Sequence, residues 1–136
     1  MLETKELIMT LLTLLPILAI IPAVLIAVTA MRAKGRPPRH IWIILALFSA
    51  ALTAWTIPAI IQEGPLGFLA AHAQTLWGNQ VWFDLLMALT MAWVLILPRA
   101  KALGMNLPVW LLSLSLGSIG FAAMLARLLY LEEKKA

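Results

Sequence analysis

The sequence predicts an all-α protein, a bundle of four transmembrane helices with a short interfacial helix between the second and third, and three observations carry that prediction. The 136 residues are 63% hydrophobic and only 12% charged, with a mean hydropathy of +0.99; soluble domains carry about 25% charged residues. Four apolar runs, at about 7–31, 41–61, 80–97 and 107–131, approach or exceed the ~20 residues that a hydrocarbon core needs. The connections are short, and two of them hold most of the cations. One membrane domain, 1–136, therefore uses the whole chain.

Those cations also decide how the net charge of +4 is read. In a soluble protein such a balance points to nucleic acid, but Lys and Arg gathered in short loops between spans report orientation instead. Nucleic acid is not an expected partner. The chain has no cysteine, which removes disulfides, thiolate nucleophiles, iron–sulfur clusters and Cys-type zinc sites.

The first span follows a short head, MLETKE, and contains Pro16 and Pro22. A cleaved signal peptide is the rival reading. The apolar run is longer than the ~7–15 residues of a signal core and its flank is not basic, so an uncleaved helix is expected, kinked at its prolines and packed on the others. The loop after it carries Arg32, Lys34, Arg36 and Arg39 without an acid, and the loop after the third span carries Arg99 and Lys101. Loops of that kind stay cytoplasmic and contact anionic lipid, which places both termini outside.

The second span opens with Trp42 at the interface, ends near Pro58, and carries Ser49, Thr53 and Thr56 at helical spacing. Small and hydroxylated residues let helices approach closely in lipid, so this stripe reads as a helix contact. The segment that follows, Gln62 to Gln80, is too short and polar to span, yet holds Leu66, Phe68, Leu69, Leu76 and Trp77. A helix over 66–77 lying in the outer interface is expected, punctuated by Gly64-Pro65 and Gly78-Asn79. His72 has no nearby Cys or second His, so a hydrogen bond at the membrane surface is expected of it and no metal site.

The third span starts after Asn79, read as its N-cap, and places Asp84 in its first turns, where the helix dipole stabilises an anion. An acid in a span is otherwise a pathway or partner site. In the fourth span Ser113, Gly117, Gly120, Met124 and Arg127 follow spacings of four, three, four and three, one helical face suited to packing. Asp84 and Arg127 each lie about four residues from the outer end of their spans, so both are roughly 6 Å inside the same boundary. A structural Asp84–Arg127 ion pair is thus expected, with Gln62, Glu63, His72, Asn79 and Gln80 around a candidate outer pocket.

No phosphate-binding glycine loop, HExxH motif, catalytic triad or paired acids occur, so no catalytic residue is assigned. Inverted repeats that build a transporter midplane site are also missing. Trp42, Trp77, Trp82 and Trp110 fall near predicted interfaces, where an aromatic belt accounts for them. Seven Met and six Trp leave room for a bound lipid, quinone or carotenoid-like isoprenoid, with the cofactor itself unknown.

From Ile43 onward the order of features resembles an uncharacterised family of small bacterial multi-span membrane proteins. The resemblance rests on the Pro58 region, Leu66-Gly67-Phe68, Trp82-Phe83-Asp84, Arg99 with Leu103-Gly104-Met105, and the tail from Leu128 to Glu132. It covers about the last two thirds of the chain and implies a bacterial inner-membrane location, with Asp84 worth testing. The expected role is non-catalytic: an accessory or assembly subunit packed against a larger membrane complex, or a homo-oligomer, in contact with membrane lipids. The competing class is a small transporter or lipid-modifying enzyme using Asp84 and His72.

Overall fold

The computed structural model describes residues 2–32 and 38–135. Among these the chain is wholly helical, with six α-helices and no strand. It divides into two units, Met1–Pro38 and Arg39–Ala136, each described by itself.

The first unit is α1, Leu2–Arg32, whose 31 residues continue past Pro16 and Pro22. Thr10 Oγ1 donates back to the Glu6 carbonyl at 2.8 Å, as a hydroxyl in a helix readily does. Arg32 closes the helix, whereas Lys34 and Arg36 of the predicted basic loop lie outside the described residues.

In the second unit α2 spans Ile41–Glu63, with Pro58 inside it. Gly64, at φ 81°, stops it and donates to the Ile60 carbonyl at 2.9 Å. The predicted interfacial helix is α3, Gly67–Ala73, shorter than expected. Gly67 is required at its start, because a Cβ there would lie 2.7 Å from that of Glu63.

The third helix begins earlier than predicted. α4 runs Leu76–Ala102, capped by Thr75, whose Oγ1 accepts from the Gly78 N–H at 2.9 Å. Thr75 has the extended backbone of an N-cap, so Asn79 is not the cap and Gly78-Asn79 do not interrupt the helix. Asp84 consequently lies more than two turns in, beyond the first turn where the dipole acts. The other end overruns Pro98 and closes on Gly104 at φ 68°. There the Met105 N–H donates to Ala100 and the Gly104 N–H to Lys101, the paired bonds of a glycine-terminated helix. Arg99 and Lys101 therefore belong to the last turns of α4 and not to a loop.

The fourth predicted span is not one helix. Asn106 caps α5, Leu107–Ser113, which tightens into a 3₁₀ turn at Leu114–Leu116 before α6, Ser118–Lys135. Between them Gly117 takes φ 61°, ψ −134°, a conformation open in practice only to glycine. The chain reverses there. At Gly120 a Cβ would stand 1.8 Å from the Ser113 carbonyl oxygen, so the two arms of the hairpin meet backbone to backbone. Leu107 and Trp110 pack with Leu103 and Met105 around Ile96, Ala100, Met124, Leu128 and Leu129. A straight helix over 107–131 would be roughly 37 Å long and could not bring those residues together.

α6 is the helix that the unit closes upon. Gly120, Ala122, Met124, Ala126, Leu128 and Leu129 are all buried, and the alternation of the first five puts buried positions on opposite sides of the helix. One side meets α4 and α5 through Met124 and Leu128, both fully buried. Toward α2, Ser49 Oγ donates to the Ile119 carbonyl at 2.9 Å. Thr53 and Thr56 bond back within α2, so of the predicted hydroxyl stripe Ser49 alone reaches across. The predicted packing face is split likewise: Gly120 and Met124 are core, Ser113 lies on the opposing arm and Gly117 is the turn.

Candidate functional site

The polar side chains that converge do so where α2 begins and where α4 and α6 end. Arg99 Nε donates to Glu132 Oε1 at 2.8 Å, and its Nη2 to Glu132 Oε2, a two-pronged pair between α4 and α6. The next residue, Glu133, reaches α2: its Oε2 accepts from the His40 N–H at 3.2 Å and from Trp42 Nε1 at 3.0 Å, while its Oε1 stands 3.3 Å from His40 Nδ1. His40 is in the left-handed conformation, φ 62°, at the N-cap of α2 without a side-chain cap of its own. Glu133 supplies the anion there, at the positive end of the α2 dipole.

These contacts form a clamp across three helices. Both carboxylates are engaged in pairing, so what the geometry does chemically is fix helix ends. Sequence pattern alone does not mark His40, Trp42, Glu132 and Glu133 as site residues. The available signal is the pair of adjacent acids, Glu132 and Glu133, complementary in charge to residues 39–40 and 99 but far from them in sequence, and it finds its partners only once the last helix folds back.

That reversal also undoes the expected ion pair. Asp84 lies fifteen residues before Arg99 along α4, about 22 Å, and Arg127 five before Glu132, about 7.5 Å, so with Arg99 on Glu132 they stand about 15 Å apart in level. Asp84, exposed, accepts from Gln80 Nε2 at 3.2 Å instead. Arg127 lies over the Tyr130 ring at 5.6 Å.

The expected outer pocket is divided as well. Asn79 Nδ2 donates to the His72 and Thr75 carbonyls at 3.1 and 3.2 Å, locking the α3–α4 corner. His72 stacks on Trp82 with centroids 5.7 Å apart, and Phe68 meets the same ring at 5.4 Å. Asn79 and Trp82 thus face α3, whereas Asp84, two residues on from Trp82, is turned about 200° away around the helix. His72 and Asp84 do not share a site. Gln62 and Glu63 end α2 in exposed positions. Among the described residues no three of His, Cys, Asp and Glu are grouped to hold a metal ion.

Among the described residues the fold is all-helical, and two of its helices, Ile41–Glu63 and Leu76–Ala102, are long and apolar enough to cross a membrane. Compared with protein-family models, with curated proteins and with solved structures, the chain matches none.

Proposed function

We propose that this is a small, non-catalytic integral membrane protein, an accessory or assembly subunit that packs against a larger membrane complex in a bacterial inner membrane, with lipid or an isoprenoid held at the contact. Three features support the membrane part of that reading. Along α2 only Ser49 is buried, and along α4 only Ile96 and Ala100. Apolar helices of a soluble domain are covered, and contiguous exposed apolar surface marks lipid or a partner. Trp42, at the start of α2, is the amphipathic kind of residue enriched at interfaces.

The observation that carries the accessory role is the hairpin tip. From Leu107 to Leu116 the first arm advances about 16 Å, half of a ~30 Å hydrocarbon core. Ser49, which holds the start of α6, lies about 12 Å into α2, which agrees with that depth. The hairpin then enters and leaves from the side of the basic residues, its irregular turn at mid-depth. Leu112 and Leu116 beside that turn are 75% and 62% exposed. Non-helical backbone at such a depth is tolerated only beneath protein or in a water-filled cavity. A neighbouring helix is the natural cover.

The test is photo-crosslinking from a benzoylphenylalanine at position 116, in the native membrane, followed by native mass spectrometry of the gently extracted protein. A crosslink to one larger membrane protein, recovered at fixed stoichiometry, supports the reading. Crosslinks to lipid alone, with extraction as a monomer, overturn it, and a single bound lipid-like substrate would then favour the transporter or lipid-modifying alternative.

A further inference from the structure

The last turns of α6 gather a second polar group, which the clamp does not use. Tyr130 meets Trp42 edge-on, centroids 5.0 Å apart at 70°. Arg127 Cζ lies 5.6 Å from the Tyr130 centroid and Lys134 Nζ 5.0 Å from it. Positions 127, 130 and 134 share one helical face, and both cations are exposed. Neither is in an ion pair among those of the described residues, because the adjacent acids are taken: Glu132 by Arg99, and Glu133 by His40 and Trp42.

Two like charges gathered at one ring repel each other, and an anion beside them is attracted to both. The nearest acid, Glu133, is engaged with Trp42 and His40, and two cations against one acid leave the group net positive, so it favours a headgroup of net negative charge over a zwitterionic one. Depth fits as well. Arg127 sits about one and a half turns inside the clamp, within reach of the headgroup layer for a long side chain that keeps its stem in the apolar region. Tyr130 and Trp42 are the aromatic pair expected at that boundary.

We propose that Arg127, Tyr130 and Lys134, beside Trp42, form a binding site for an anionic phospholipid of the leaflet on the side of the basic residues, its phosphate accepting from the guanidinium and the ammonium. The proposal rests on the membrane reading above. It gives Arg127 a ligand in place of Asp84.

The experiment uses the full chain reconstituted in vesicles of equal parts phosphatidylcholine and phosphatidylglycerol, with spin-labelled versions of each lipid reporting the motionally restricted fraction. A cation near the surface is worth about fivefold in binding an anionic lipid, so the native protein should prefer phosphatidylglycerol several-fold. Arg127→Gln with Lys134→Gln should lower that preference several-fold, down to what the remaining basic residues of that side supply. Arg127→Lys with Lys134→Arg should keep it, as should Lys135→Gln, which removes a neighbouring charge off that face. Helix content by circular dichroism accompanies each variant. An unchanged preference in the double glutamine variant, or none in the native protein, overturns the site while leaving the membrane reading standing. Failure of the native protein to float with the vesicles overturns both.

Discussion

The hairpin makes a prediction whose sign separates it from a single crossing. In a continuous helix over 107–131, Gly120 is an interior glycine, and alanine there is more favourable by up to about 1 kcal/mol. In the hairpin the same methyl meets the Ser113 carbonyl oxygen at 1.8 Å and its carbon at 2.5 Å. Ordinary contact needs the arms to part by about 1.5 Å or more, and the obstacle is backbone, which has no rotamer to escape into. Overpacking costs about 1–3 kcal/mol even where side chains can adjust. We therefore expect Gly120→Ala to destabilise by about 3 kcal/mol, chiefly by loosening α5 from Met124 and Leu128. The assay is reversible unfolding in mixed micelles with rising dodecyl sulfate, followed by helix ellipticity. Gly117→Ala serves as a companion: its surroundings are open, so its cost comes from the φ of 61° alone, about 1–3 kcal/mol. Neutral or stabilised variants at both positions would refute the hairpin.

On the membrane reading proposed above, the same reversal predicts sidedness, and the absence of native cysteine suits the test. Single cysteines at Arg39, Lys101 and Lys135 should react with an impermeant maleimide from one side of sealed vesicles, and one at Gln74 from the other; labelling of 135 together with 74 would restore a fourth crossing. Asp84→Asn and Arg127→Gln should have additive effects, with a coupling below about 0.5 kcal/mol, because the residues share no partner; mutual rescue in the same unfolding assay would reinstate the ion pair. Arg99→Gln and Glu132→Gln should by contrast couple, by up to about 1 kcal/mol for so exposed a pair, and the coupling should fall as salt is raised. Trp42→Phe should cost about 1 kcal/mol, since it keeps the ring against Tyr130 and removes the hydrogen bond to Glu133.

Much of the chain could be read without the fold. Apolar runs bounded by Gly, Pro and charge located α2 and α4 to within a few residues, because a helix of that length and composition needs no partner to be recognised. The start of α4 was missed, since Thr75 and Asn79 are both good caps and the choice depends on which side chain finds a free N–H. At its far end the expected span stops at Leu97; the helix passes through Pro98 and ends where Gly104 satisfies its last carbonyls.

Composition and spacing are enough to set the helices, their apolar lengths and the stretches where the basic residues gather. The direction of the last helix depends on packing. The spacing of Ser113, Gly117, Gly120 and Met124 fits one face of a straight helix, and it fits equally the small residues that two antiparallel arms need in order to touch. Local pattern cannot choose between them, because the choice depends on long-range partners: Arg99 for Glu132, His40 and Trp42 for Glu133, and the Ile96–Ala100 surface for Met124 and Leu128. Once the chain turns at Gly117, Arg127 moves to the end opposite Asp84, and with it goes the site that the sequence had placed there.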